Sequence, residues 1–230
     1  GRHVTLLDAA ATRAEVDSPT YLGGLWHHDG VVMLDPARLA WGLLRVAKSL
    51  GVRFFENTPA RSIEAAQGAE STTVRIRTDG GSVGARNAVV ATNAFRPQVR
   101  RIRRFVVPVY DHVLVTEPLT GNRLATIGWS NRQGLSDVGN QFHYYRLTPD
   151  DRILWGGWDA LYHFGNRVDP TVEHSPSTSR LLATHFFETF PQLEGVAFTH
   201  RWSGPIGTTS RFTCAWGTSH RGRVAWSAGY

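Results

Sequence analysis

The sequence predicts a mixed fold, α+β with an α/β portion, in which a mostly antiparallel sheet carries helices on one face. Three observations predict it. Residues 36–57 read as helix, glycine and strand, the repeating unit of an α/β layer. From Phe105 onward β-type segments dominate, with a single helix-length stripe among them. Twenty-three Gly and eleven Pro in 230 residues interrupt the chain too often for a helical bundle.

The elements follow in order. Residues 1–20 show little periodicity, and Tyr21–Asp35 is a Gly-rich run of short extended pieces around a turn at Asp29-Gly30. Asp35 can cap a helix over 36–50, Pro36 fits its first position, and Leu39, Leu43, Val46, Ala47 and Leu50 make one apolar stripe. Gly51 stops it, and a strand is expected at 52–57. Arg61–Ala65, Thr72–Thr78 and Ser82–Ala85 predict an antiparallel meander over 61–85, joined around Gln67-Gly68 and at Asp79-Gly80-Gly81. A short apolar run predicts a buried strand at 88–92. Further strands are expected at 106–116, 123–129, 141–147 and 153–158, then a helix at 177–190 between Pro176 and Pro191. Strands at 198–202, 210–216 and 224–227 close the chain. The expected domains are 1–104, then an antiparallel domain over 105–201, then a return to the first domain over 202–230.

Composition narrows the function classes. A hydrophobic fraction of 41% against 19% charged residues supports a real core and argues against general disorder. Cys214 is the only cysteine, which excludes a disulfide framework and a thiolate metal site. No apolar run reaches the roughly 18 residues of a membrane span. No leader or glycosylation site is visible, so a cytoplasmic location is the expectation. The formal charge is +6, and all basic residues but Lys48 are arginines. Arg96, Arg100, Arg101, Arg103 and Arg104 form a basic run that reads as a solvated face or as a nucleic-acid surface. No nucleic-acid motif accompanies it, and no nucleic-acid partner is expected. His27-His28-Asp29 reads as a polar turn more than as a metal site, so no metal is expected. The dinucleotide, phosphate-loop and nucleophile-elbow signatures are absent. Eight Trp are many for this length; Trp26, Trp129, Trp155, Trp158 and Trp202 either line a cleft or fill a β-rich core.

Six stretches carry a resemblance. They are Gly23-Gly24-Leu25-Trp26-His27 with Leu34-Asp35-Pro36-Ala37-Arg38-Leu39; Leu50 to Asn57 with Ala60; Asp79-Gly80-Gly81 with Ala88 to Ala94; Tyr144-Tyr145-Arg146 with Asp150 to Gly157; Phe190-Pro191-Gln192-Leu193 with Arg201 to Gly207; and Ala228-Gly229-Tyr230. In this order they resemble the flavin-dependent amine and amino-acid oxidases of the D-amino-acid oxidase superfamily, in a branch like the gamma-glutamylputrescine oxidoreductases.

The resemblance implies a partial FAD-binding α/β domain plus an antiparallel substrate domain. It implies FAD as cofactor and a small amine or amino acid as substrate, oxidised at its C–N bond by hydride transfer to FAD, with the imine then hydrolysing. It also implies that the family's N-terminal dinucleotide segment and C-terminal flavin loop lie outside this sequence, so that an isolated fragment of low activity and weak FAD binding is expected. The cofactor positions it implies are Ala60, Ala91, Thr92, Asn93, Trp202, Gly204, Pro205, Gly229 and Tyr230; tight turn geometry is the competing reading of the small residues. Alternation places His143 and Tyr145 on one face of their strand and Tyr144 and Arg146 on the other. Substrate-lining candidates are Trp26, His27, His143, Tyr145, Arg146 and Trp158, with Arg146 set to meet a substrate carboxylate or a nearby acid. Lys48 stands in the last turn of the first helix, so the electron acceptor stays open. Cys214 is either a flavin-linkage site or a small buried residue. No general base and no oligomeric state are specified. A non-catalytic β-rich module binding a ligand or partner is the alternative reading, and a basic nucleic-acid-binding surface a second.

Overall fold

The computed structural model describes residues 3–65 and 73–229. The chain divides into two compact units: Gly1–Asp35 with Asp111–Ala160 and Pro170–Gly204, and Pro36–Tyr110 with Leu161–Asp169 and Pro205–Tyr230.

The first unit opens with β1 (Val4–Asp8), α1 (Ala9–Glu15) and β2 (Gly23–His27). β1 and β2 pair antiparallel, and Asp8 caps α1 by accepting from the Ala11 N–H at 2.8 Å. The weak periodicity of residues 1–20 hides these elements. The long strand β7 (Val106–Thr116) supplies the main sheet, joined by α3 (Gly121–Ile127), β8 (Leu135–Ser136), β9 (His143–Leu147) and β10 (Ile153–Gly157). β10 lies between β7 and β9, and β8 follows β9, all antiparallel. β12 (Phe198–Thr209) also pairs with β7.

α4 (Pro176–Thr189) covers one sheet face. Ser175 caps it, Pro176 starts it, and the Phe190 N–H closes it on Phe186 O at 2.8 Å. Its Leu182 and Phe186, with Phe190 after it, pack on Leu114, Tyr145, Ile153 and Trp155. Trp129 and Trp155 are fully buried here, so these two Trp fill the core. The strand expected at 123–129 is instead α3: Thr120 caps the Arg123 N–H, Leu124 and Ile127 share an inward face, and Gly128 at φ 70° ends it.

The second unit holds α2 (Pro36–Ser49), β3 (Ser62–Ala65), β4 (Val74–Thr78), β5 (Gly81–Ala85), β6 (Ala88–Val90), β11 (Leu161–Tyr162), β13 (Ala215–Ser219) and β14 (Val224–Ala228). β3, β4 and β5 form the expected meander, although the Gln67-Gly68 loop lies outside the described residues. β6 runs parallel to β14, which pairs antiparallel with β13. β11 pairs with the Val109–Tyr110 part of β7. Val74, Val90, Val99, Ile102, Val106 and Val224 make this unit's core.

Two expectations are corrected here. Residues 52–57 form no strand: Val52, Phe54 and Phe55 are exposed, and a strand persists only where a neighbour completes its ladder. Residues 210–214 form a turn, because β12 runs on to Thr209 and β13 begins at Ala215. The helix stripe of α2 forms as spaced, yet Leu39, Leu43, Val46 and Leu50 are all exposed.

Candidate functional site

The alternation of the central strands fixes what each sheet face offers. His143, Tyr145 and Leu147 of β9, with Ile153 and Trp155 of β10, point into the core beneath α4. The opposite face presents Asp111, Val113 and Val115 of β7, Leu154 and Gly156 of β10, and Tyr144 and Arg146 of β9.

On that face Tyr144 donates its hydroxyl proton to Asp111 Oδ2. The ring crosses β10 to do so, and Gly156 makes the crossing possible. A Cβ there would lie 2.7 Å from both Cζ and Oη of Tyr144. Burial pushes the Asp111 carboxyl above its ordinary value, opposed by the Tyr144 hydroxyl, then by the nearby His112 imidazole and by the His112 and Gly157 backbone N–H groups. Burial, followed by the Asp111 carboxylate, raises the Tyr144 phenol. Arg146 donates from Nη1 to Leu34 O at 2.6 Å, tying residues 31–35 to the far end of the same strand.

The covered face carries a second polar chain. Asp137 Oδ2 accepts from His143 Nδ1 at 2.6 Å, and His143 Nε2 lies 3.0 Å from His185 Nδ1 on α4. The tautomers of the two rings set which of them donates in this bond. Asp137 Oδ1 accepts from the Tyr145 hydroxyl at 3.4 Å, and the Tyr21 hydroxyl is 2.7 Å from Tyr145. Burial works to raise the Asp137 carboxyl, but the His143 ring and backbone N–H groups outweigh it and hold the group below its ordinary value. Burial, helped by His143, lowers the His185 imidazole. Trp158 stacks on His143 at 5.0 Å and meets His185 edge-on at 4.5 Å, from a left-handed backbone with φ 67°. An open cleft of about 360 Å³ also lies beside α4, lined by Ser179, Arg180, Phe198 and Arg201; neither polar chain lines it.

The substrate-lining candidates therefore separate. His143, Tyr145 and Trp158 come together on the covered side, as structural members of a packed network. Arg146 is on the opposite face, where its partner is the Leu34 backbone carbonyl. Trp26 stacks on His28 in the β1–β2 ribbon, where His27 is exposed. Sequence reasoning passed over Asp111; it named Gly156 only within a stretch of the resemblance and Tyr144 only as the face partner of Arg146. The available signal was a lone acid inside the apolar run Val-Val-Pro-Val-Tyr-Asp-His-Val-Leu-Val.

In the second unit, β6 and β14 run parallel with Val90 opposite Trp226, so their carboxyl ends lie side by side. Ala91, Thr92 and Asn93 follow one end and Gly229 follows the other. Asn93, itself at φ 45°, accepts from the Gly207 N–H at 3.2 Å, and a Cβ on Gly207 would lie 2.7 Å from Asn93 Oδ1. Gly229 has φ 75° and sits against Thr209. Trp202, Gly204 and Pro205 succeed one another on β12, with Trp202 45% exposed. Ala60 is exposed ahead of β3, and Tyr230 lies outside the described residues. Cys214 is exposed, with Sγ 3.6 Å from Ser227 Oγ, so it is not a small core residue. No group of residues able to hold a metal ion occurs among those described.

The family model for DAO, FAD dependent oxidoreductase, matches residues 1–230. The chain belongs to that family. A relative in Escherichia coli (strain K12), gamma-glutamylputrescine oxidoreductase, is 32% identical over 208 residues, covering 88% of this chain and 44% of the relative. The DAO-family chain thus spans about half the length of the curated relatives it matches. Two solved structures share the fold at low identity. The L-proline dehydrogenase from P. horikoshii has a TM-score of 0.80 at 18% identity, covering 100% of this chain and 59% of that one. The glycine oxidase from Geobacillus kaustophilus has a TM-score of 0.75 at 19% identity, covering 100% and 58%.

The residues present fit part of an FAD site. Open α/β layers take dinucleotides at the carboxyl ends of parallel strands, where small residues let the ligand approach the backbone. Ala91, Thr92 and Gly229 of the DAO-family chain occupy such strand ends, and Ala91 and Thr92 are exposed there. No helix among the described residues is long and apolar enough to cross a membrane.

Proposed function

We propose that this chain is the substrate-sheet portion, and part of the cofactor portion, of a flavoenzyme that oxidises a C–N bond of a small amine or amino acid. The observation that carries the reading is the match of the FAD dependent oxidoreductase family along the whole chain. Bound FAD would accept the two electrons of the oxidation. Ala91, Thr92, Asn93 and Gly229 would hold the dinucleotide by their backbone, with Ala60 toward the adenine end. Trp202, Gly204 and Pro205 would lie toward the flavin ring. The protein's own task is to bind the amine, orient its C–H bond and exclude water. The sheet face opposite α4, with Tyr144 and Arg146, is the part of this chain suited to it. The 32% identical relative supports an amine as the substrate class.

The test is a visible spectrum of the purified chain after incubation with FAD and removal of the excess. A residual flavin band, below one equivalent, is expected, and Gly229→Val should abolish it. A chain that retains no flavin under any condition overturns the cofactor half of the reading.

A further inference from the structure

We infer that Asp111, held by Tyr144 across Gly156, is the group that takes the ammonium of the substrate, and that this sheet face selects amines lacking an α-carboxylate. The inference rests on the amine-oxidising reading above and names the substrate class within it.

The carboxylate is prepared for a cation. The Tyr144 hydroxyl donates to its Oδ2. A carboxylate offers about four acceptor sites, so this one bond leaves room for an incoming N–H. The group is partly buried, where water screens a charge poorly and an ammonium partner gains more than it would at an exposed acid. The strand neighbours on this face are apolar or lack a side chain: Val113 on β7, and Leu154 and Gly156 on β10. They offer no competing charge.

Register decides the selectivity. Arg146 is level with Leu154, which is level with Val115, so Arg146 lies four residues along from Asp111 and two strands across. At strand spacings that is about 14 Å along and about 10 Å across. An α-amino acid carries its ammonium and carboxylate on one carbon, so it cannot reach both side chains. With its ammonium on Asp111, its carboxylate would face the Asp111 charge out of reach of the Arg146 guanidinium. Arg146 is in addition engaged by the Leu34 carbonyl. An amine without that carboxylate meets Asp111 at no such cost.

The experiment compares n-butylamine with norvaline, which differ by one carboxylate, in ligand-observed NMR titrations of the chain. The wild type should bind n-butylamine at least about tenfold more tightly. Asp111→Asn should remove that preference by weakening the amine alone, whereas Asp111→Glu should restore part of it. Tyr144→Phe should keep the preference within about threefold. If Asp111→Asn fails to fold, raising the salt of the wild-type sample should weaken the amine several-fold and leave norvaline unchanged. Equal affinity for the two ligands, a preference that survives Asp111→Asn, or no amine binding at all overturns the inference. Flavin retention is read separately at its visible band. A chain that binds amine through Asp111 but never retains FAD therefore fails the flavoenzyme reading alone.

Discussion

Asp137 shows how one carboxylate organises two aromatic partners. One oxygen holds the His143 ring and the other the Tyr145 hydroxyl. Asp137→Asn keeps the size but turns an acceptor oxygen into a donor facing His143 or Tyr145. The expected loss is about 1–3 kcal/mol, read as a lowered urea midpoint at unchanged slope. The pH dependence follows from the same network. Asp137 and His185 both bind protons less readily in the fold than in the unfolded chain. Their stabilisation is full above the unfolded values, about 3.9 and about 6.5, and is lost as pH falls through the folded ones. Asp111, raised in the fold, runs the other way. On lowering the pH from about 7.5 to about 5.5 only His185 of the pair loses its contribution, so Tm should drop less, or rise more, in His185→Gln than in the wild type. Glu188 and Asp137 are the acids that oppose the lowering of His185. A pH dependence of Tm that His185→Gln leaves unchanged would refute the assignment.

The two fourteen-residue helices contrast at the scale of elements. Both are legible from spacing, since 3.6-residue periodicity and a Pro start are local signals. Their fates differ. Phe186 of α4 is fully buried against Trp155 and Phe198, so Phe186→Ala should cost about 3–5 kcal/mol. Leu43 of α2 is 62% exposed, so Leu43→Ser should change the stability of this chain by no more than about 0.5 kcal/mol. Urea unfolding of the two variants checks both. Periodicity announces an apolar face but not what covers it. Residues 52–57 fail as a strand for a related reason: β propensity is local, whereas the ladder is supplied by another segment. The 123–129 segment went the other way, because a Thr cap and a Gly stop outweighed its apolar content.

At the scale of the whole molecule, the mixed fold and the antiparallel sheet were readable from the order of segments. The role of each sheet face was not. Alternation pairs His143 with Tyr145 and Tyr144 with Arg146, but only the position of α4 tells which pair is covered. That is a long-range fact with no local trace. Asp111 escaped notice because its meaning depends on Tyr144, 33 residues away, and on a glycine between them. The family matches along all 230 residues, and the chain spans 44% of the E. coli relative.

Gly156 has one more consequence. A methyl group at 156 and the present tyrosine ring at 144 cannot both keep their places, so the two positions cannot drift independently. A lineage that gains a side chain at 156 must first shrink or reorient residue 144, and in doing so releases Asp111. The order of mutational steps is thereby restricted. Gly156→Ala should be costly beside tyrosine and nearly silent beside serine at 144, a strong non-additivity between two positions on neighbouring strands.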